Sequence, residues 1–310
     1  MTRSAKSGIA LLMLFLTGLV RNGEPQTPPS GEDYRLSVSV DLVALQATVH
    51  DRNGGYVSDL REQDFEVYED GVRQSIRLFR HEDVPVTVGL IIDHSSSMRG
   101  KLSQVIAAAQ TFAQSSNPED QMFIVNFNEK VTLGLPVTIP FTDRPDELGR
   151  AISKAPAAGQ TALYDAIIKA QERLHAGNRD RKALIVISDG GDNASTHTLA
   201  EVLKLSAESN ALVYTIGIFD DADEDRNPGV LRHLARATGG EAFFPDQLGE
   251  VVAICERIAR DIRHQYTIGY VASGTPQPGA WRAVRVVARD AKKGKLSVRT
   301  RSGYIPGGAK

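Results

Sequence analysis

The chain has 310 residues, 41% hydrophobic and 24% charged, with a formal net charge of −2 and a pI near 6.4. That length suffices for one large core or two modest ones, and the near-neutral balance excludes a whole-chain basic field of the kind that binds nucleic acid. A lone cysteine, Cys255, excludes an internal disulfide and a thiolate metal cluster.

The first twenty residues differ from the rest. Arg3 and Lys6 precede an uncharged, apolar run from Gly8 to Val20. This matches the charged and apolar regions of a secretory signal, and it is short for a spanning helix of roughly 20 residues. Residues 1–20 are therefore expected to direct export. No clean Ala-x-Ala cleavage site follows, so a retained short anchor, with membrane association through this segment, stays open, as does a buried N-terminal helix. Removing these residues takes away Arg3 and Lys6 and no acid, which moves the net charge from −2 to −4. Residues 21–33, rich in Gly, Pro and polar side chains, read as a flexible linker.

Residues 34–82 carry β patterning. Val38, Val40 and Leu42 share one alternating phase and Val43, Leu45, Ala47 and Val49 the other. The slip between Leu42 and Val43 predicts a β-bulge or a strand crossing between sheets. Asp51-Arg-Asn-Gly-Gly55 has strong hairpin chemistry. Phe65 and Val67 alternate before a turn at Glu69-Asp70-Gly71, and Ile76 and Leu78 follow on the expected return. The unit is too small to form a comfortable sandwich alone.

From Val86 strands alternate with helices. Val88-Gly-Leu-Ile-Ile-Asp93 reads as a strand buried on both faces. Leu102, Val105, Ile106, Ala109, Phe112 and Ala113 fall along one face of a helix. Strands are expected at Met122 to Phe127 and Val131 to Val137, and a short helix over 145–154. Gly159-Gln160-Thr161 opens a helix carrying Leu163, Ala166, Ile167, Ala170 and Leu174. Ala183 to Ile187 is another continuous apolar strand, ending at Ser188-Asp189-Gly190-Gly191-Asp192. A helix near 197–208, a strand from Ala211 to Ile218, a helix around 229–237, a short strand at Glu241 to Phe244 and a helix over 247–263 complete the series. Such alternation implies a doubly wound, mostly parallel α/β sheet over residues 86–262.

Residues 264–306 return to β patterning, with Tyr266, Ile268 and Tyr270, then Val284, Val286 and Ala288, then Leu296 and Val298 after a turn at Lys292 to Lys295. Pairing the two flanking β segments would let both bury their apolar faces. The expected architecture is an α/β domain inserted into one small, discontinuous β-sandwich, with separate small modules as the alternative. Trp281 is read as a packing residue of the β domain, and Cys255, on the stripe Val251, Ile254, Cys255, Ile258 and Ile262, as an inert core residue.

Three loops on what should be one edge of the sheet stand out. They carry Asp93, Ser95 and Ser97; Thr161; and Asp189. Carboxylate and hydroxyl oxygens on tight loops offer hard ligands for Mg²⁺ or Mn²⁺. The same residues are good helix caps, so any single loop is as readily explained by capping. Together, Asp93-His-Ser95-Ser-Ser97, Thr161 in Gly159-Gln-Thr161-Ala-Leu and Asp189 in Ile187-Ser-Asp189-Gly190 resemble the metal-ion-dependent adhesion site of the von Willebrand factor type A domain, over roughly residues 86–262. The resemblance implies a Mg²⁺ or Mn²⁺ ion held by the hydroxyls of Ser95, Ser97 and Thr161, with Asp93 and Asp189 acting through bound waters. It also implies a protein partner that completes the shell with an Asp or Glu carboxylate. Gly190 and Gly191 would let the backbone turn closely around the site. Asp64 to Gly71, Thr238 to Phe244, Tyr266 to Tyr270 and Arg301-Ser-Gly-Tyr304 further resemble exported bacterial proteins called VWFA-related, frequent in acidobacteria, which widens the likeness to about residues 34–306.

His94 sits at the variable position of the first motif and is expected to be exposed. Asp192 would either reach the site through water or stabilise its loop. Asp220 to Asp225 packs five carboxylates into six residues, lacks the glycine a calcium loop needs at its sixth place, and reads as a solvated loop that could shape partner choice. The expected function is an extracytoplasmic, metal-dependent protein-binding module without catalysis. The alternatives are a membrane-anchored assembly component of an envelope complex and a hydrolase using Ser95 or Ser97 with His94 or His233 as base. No Gly-x-Ser-x-Gly elbow or His-Glu-x-x-His motif supports the last.

Overall fold

The structure, a computed structural model, describes residues 42–220, 225–274 and 279–306. The leader, the linker and the strand residues Val38 and Val40 lie outside the described residues. Among the described residues no helix is long and apolar enough to cross a membrane.

The strands and helices, in order, are β1 (Leu42–His50), β2 (Phe65–Glu69), β3 (Val72–Gln74), β4 (Ile76–Arg80), β5 (Val86–Asp93), α1 (Leu102–Ser115), β6 (Gln121–Phe127), β7 (Val131–Leu133), α2 (Pro145–Ser153), α3 (Leu163–Leu174), β8 (Arg181–Ser188), α4 (Leu199–Glu208), β9 (Leu212–Gly217), α5 (Pro228–Thr238), β10 (Ala242–Phe243), α6 (Glu250–Arg263), β11 (Tyr266–Val271), β12 (Arg282–Ala288), β13 (Ser297–Arg299) and β14 (Gly303–Tyr304). They build three sheets. The central one has six strands in the order β10-β9-β8-β5-β6-β7. It is parallel except for β7, which hairpins back on β6.

Every residue of β5 is buried, because helices cover both faces of the sheet. Strand alternation divides its side chains between two cores. Val88, Leu90 and Ile92 pack with α1 and α6 on one face, and Ile91 packs with α3 and α5 on the other. Strand β5 lies between β6 and β8, and the strand order runs one way from β5 to β6 and β7 and the other way from β8 to β9 and β10. A crevice therefore opens at the carboxyl ends of β5 and β8, which is where open α/β sheets place ligands.

The flanking segments pair as one unit. One four-stranded sheet runs β13-β1-β11-β4 and the other β14-β12-β2-β3, so each mixes strands from both ends of the chain. Leu45, Ala47, Val67, Ile268 and Val286 meet in the core between them. Neither segment alone owns a sheet, which is why neither could bury its apolar face without the other.

Three expectations need correction. The return strand after Glu69-Asp70-Gly71 is β3, paired with β2, whereas Ile76 and Leu78 belong to β4 and pair with β11 in the other sheet. A register irregularity does occur in this sheet, between Gly269 and Tyr270 where β11 pairs with β4, rather than between Leu42 and Val43. The strand expected over Val131 to Val137 stops at Leu133, and Val137 is 99% exposed. Trp281, read as a packing residue of the β domain, does pack against Gly303 of β14 but is 49% exposed.

Candidate metal centre

Asp93 ends β5 and is fully buried. Its Oδ1 accepts the main-chain N–H of Ser95 at 2.7 Å, and its Oδ2 accepts the hydroxyl of Ser188, the last residue of β8, at 2.6 Å. Burial pushes the Asp93 carboxyl up to about 6; the Ser188 and Ser95 hydrogen bonds pull the other way, and the like charge of Asp189 adds to the rise.

The next links run through hydroxyls. The Oγ atoms of Ser95 and Ser97 are 3.0 Å apart, and Ser97 Oγ donates to Asp189 Oδ2 at 2.6 Å. Asp189 Oδ1 accepts the Gly191 N–H at 2.9 Å. Ser95, Ser97 and Asp189 are thus joined side chain to side chain, and Asp93 joins them through the main-chain N–H of Ser95. Thr161, buried at 7% exposure, makes no hydrogen bond to these four but is tied by its main chain to the loop after Asp189: its N–H donates to Asn193 Oδ1 and its carbonyl accepts from the N–H groups of Asn193 and Ala194.

Backbone geometry holds the three loops together. His94 N–H donates to the Phe127 carbonyl, Ala158 N–H to that of His94, and Ser96 N–H to that of Gly159. Two glycines are required here. Gly159 has φ +86°, and a Cβ there would meet Glu129 Oε2 at 1.6 Å. Gly190 has φ +81°, and a Cβ there would meet the Asn227 carbonyl at 2.5 Å. The second contact lets α5 close on the Asp189 loop, whose carbonyl accepts the Asn227 N–H.

His94 is not exposed. It is 1% accessible, its Nε2 lies 3.1 Å from Asn126 Oδ1, and burial lowers its pKa. It forms part of the wall of a cavity of about 490 Å³ beside the loops. Asp192 stabilises its loop: its Oδ2 accepts the Tyr164 N–H at 3.0 Å and the Ser195 hydroxyl at 2.6 Å. Of the acidic stretch, Asp220 pairs with the buried Lys101 at 3.0 Å and Asp225 accepts from the Asn193 amide at 2.9 Å, while residues 221–224 lie outside the described residues. Ser188 and Asn193 are the contributors that motif reading passed over. Ser188 could have been suspected as the last strand residue beside Asp189, whereas nothing local marks Asn193 as the partner of Thr161.

The donor chemistry fits a hard divalent cation. Among the described residues no cluster of three or more His, Cys, Asp or Glu side chains could hold a metal. The oxygens gathered here are two carboxylates and neutral hydroxyls, the set that suits Mg²⁺ or Mn²⁺ and not a soft metal. A cation would also offset the burial of the Asp93 carboxylate.

Comparison with known proteins bears on the α/β unit. Residues 88–191 match the family model described as von Willebrand factor type A domain. No curated protein sequence matches the chain. Among solved structures, a von Willebrand factor type A protein from Catenulispora acidiphila is 17% identical, covers 86% of this chain and 74% of its own, and superposes with a TM-score of 0.52. The vWF domain of the type V pili tip protein Mfa5 from Porphyromonas gingivalis is 15% identical over 63% of this chain and 99% of its own, with a TM-score of 0.49. Proximal thread matrix protein 1 from the mussel byssus, with a zinc-occupied MIDAS motif, is 20% identical over 59% of this chain and 48% of its own, with a TM-score of 0.48. The similarity to the first is one of fold and reaches beyond the α/β unit into the flanking strands. The family match and the mostly parallel, helix-covered sheet agree, and the chain contains a von Willebrand factor type A domain.

Proposed function

We propose that this protein is an extracytoplasmic protein-binding module whose divalent cation, Mg²⁺ or Mn²⁺, is held by Asp93, Ser95, Ser97, Thr161 and Asp189 and completed by an Asp or Glu carboxylate of a protein partner. Type A domains commonly mediate metal-dependent protein interactions. The observation that carries the reading for this chain is the link from Asp93 through Ser95 and Ser97 to Asp189 at the mouth of the β5–β8 crevice. When bound, the cation supplies a positive centre that neutral hydroxyls do not cancel, so an anionic side chain is attracted to it. The protein's own part is to keep the carboxylates and hydroxyls gathered, through Ser188, Gly191 and the loop-to-loop main-chain bonds. Export rests on the charged and apolar regions of residues 1–20.

Binding is favoured over catalysis by the environment of His94. Its Nε2 is committed to Asn126 rather than to Ser95 or Ser97, so neither serine has this imidazole as a base. Calorimetric titration of the whole chain with Mg²⁺ and Mn²⁺ tests the site: saturable binding is expected, with loss in Asp93→Ala. Equal binding by that variant defeats the assignment. Sequencing the mature N-terminus by mass spectrometry tests export separately, and a terminus at residue 1 in the cytoplasmic fraction overturns it.

A further inference from the structure

A second cleft lies at the opposite end of the central sheet. It has a volume of about 420 Å³ and is formed between the start of β8 and the sandwich strands β1, β4 and β11, with Arg80, Arg179 and Arg181 among its lining residues. Arg181 opens β8 and is only 5% exposed. Its Nη2 donates to Thr267 Oγ1 at 2.9 Å and to the Gln265 carbonyl at 3.4 Å. Its Nε and Nη1 are buried and have no hydrogen-bond partner among the described residues. A guanidinium carries five N–H donors, so the one on Nε and both on Nη1 are unspent.

That arrangement is costly without an anion. A buried cation is normally paired with a carboxylate, because an uncompensated charge loses its hydration for nothing in return. No carboxylate lies within ion-pair distance of Arg181 among the described residues. The acids on the wall, Glu82 and Asp180, are exposed, and the nearby Asp83 is paired with Arg263 at 2.8 Å. Charges on solvated side chains are screened and neutralise a buried guanidinium poorly. Burial accordingly holds Arg181 below the usual arginine range, with Asp83 and Glu82 opposing only in part.

Three arginines from two segments therefore line one cleft: Arg80 at the end of β4, Arg181 at the start of β8, and Arg179 just before it, whose Nε and Nη2 donate to the Glu119 carbonyl and leave Nη1 over. Planar forks of this kind match the oxygens of phosphate, sulfate and carboxylate groups. We infer that this cleft between the sandwich and the α/β unit is a binding site for the oxyanion group of a small solute, held by Arg181 with Arg80 and Arg179 at its mouth. The site is independent of the proposed metal centre. Arg181 begins and Ser188 ends the same eight-residue strand, which separates the two by roughly 23 Å at about 3.3 Å per residue.

The test uses the full chain and inorganic phosphate, sulfate and acetate, each against chloride at matched ionic strength, read by calorimetry and thermal melting. Saturable binding of at least one of the three oxyanions is expected, with a rise in Tm that chloride does not give. The tightest of the three identifies the group. Arg80→Gln, at an exposed position, should weaken binding about tenfold, the loss of one charge-assisted hydrogen bond. Arg181→Met should abolish binding while melting no lower than the wild type in chloride, because it removes an uncompensated buried charge. If Arg181→Met does not fold, Arg80→Gln and Arg179→Gln decide. The inference is overturned if no oxyanion binds more tightly than chloride, or if binding is unchanged in both Arg80→Gln and Arg179→Gln.

Discussion

Ser97 Oγ donates a 2.6 Å hydrogen bond to Asp189 Oδ2 across 92 residues of sequence. The bond ties the loop after β5 to the loop after β8, so the hydroxyl and the carboxylate share one point at the crevice mouth. Ser97 is half-buried, while Asp93, Ser95 and Asp189 are buried. The group most open to solvent is therefore a neutral hydroxyl, and the charges lie behind it.

Ser97→Ala separates ligand loss from fold loss. Asp189 keeps its bond from the Gly191 N–H and Asp93 keeps both of its partners, so the loops remain supported. Stability should change by less than about 1 kcal/mol, as for most partly exposed substitutions. Under the proposed function, Mg²⁺ affinity should fall by about tenfold or more. Parallel urea melts and calorimetric titrations check both halves; unchanged affinity removes Ser97 from the ligand set.

The apolar run before Asp93 was legible because a strand covered on both faces needs unbroken hydrophobicity, which is a local property. The pairing of the outer β segments was legible for a similar reason, since Phe65, Val67, Tyr266 and Ile268 each show a face with nothing nearby to cover it. The burial of His94 was not legible. It depends on Asn126, 32 residues away on a neighbouring strand, and on the loop around Ala158 closing over the histidine's carbonyl. The division of labour in the Gln74–Ile76 region was equally hidden, because Ser75 carries the chain from one sheet to the other without any glycine or proline to mark the crossing. The five motif residues could be found by order along the chain, but the ties through Ser188 and Asn193 exist only once β8 lies beside β5.

Asp120 should make stability fall with rising pH. Its carboxylate accepts the Val86 N–H at 2.7 Å and the Asn117 N–H at 3.1 Å, yet burial outweighs these bonds and pushes its pKa up to about 6 from 3.8. The folded state then holds a proton that the unfolded state has already released, so stability is lost as pH rises from about 4 to about 6 and is level above that. Asp93 is raised over the same range, so the wild type alone cannot separate the two. Asp120→Asn removes one titration: relative to the wild type it should gain on the order of 2 kcal/mol between pH 4 and pH 7. Denaturant melts at several pH values read this difference, and a constant gap between the two proteins would refute it.

Cys255 should be inert in the native protein. It lies on the buried face of α6 at 1% exposure, and burial pushes its thiol up to about 12. Since the thiolate is the reacting form, a neutral-pH thiol reagent should label it only on unfolding. Labelling rates should therefore follow global unfolding and rise in parallel with denaturant. Fast labelling without denaturant would mean that α6 opens away from the sheet by itself.

The sandwich should depend on one buried carboxylate for the union of its two segments. Glu69, 1% exposed at the end of β2, accepts the Tyr270 hydroxyl at 2.5 Å and the Tyr304 hydroxyl at 3.0 Å on Oε2, and its Oε1 pairs with Arg282. All three partners come from the C-terminal segment, on β11, β14 and β12. Burial and then Glu69 itself push the Tyr270 hydroxyl far above its ordinary range, and the same causes push Tyr304 up to about 12, so both remain donors at any working pH. Glu69→Ala would leave two buried hydroxyls without their acceptor and Arg282 with Asp70 alone, 2.9 Å away, at about 2–4 kcal/mol. Tyr270→Phe removes one donor and leaves the carboxylate two partners, so it should cost only about 1–2 kcal/mol. Combining Tyr270→Phe with Glu69→Ala should then cost little more than Glu69→Ala alone, because the bond that Tyr270→Phe removes is already gone. A double-mutant cycle by urea denaturation measures this coupling, and additive losses would show that Glu69 and Tyr270 act separately.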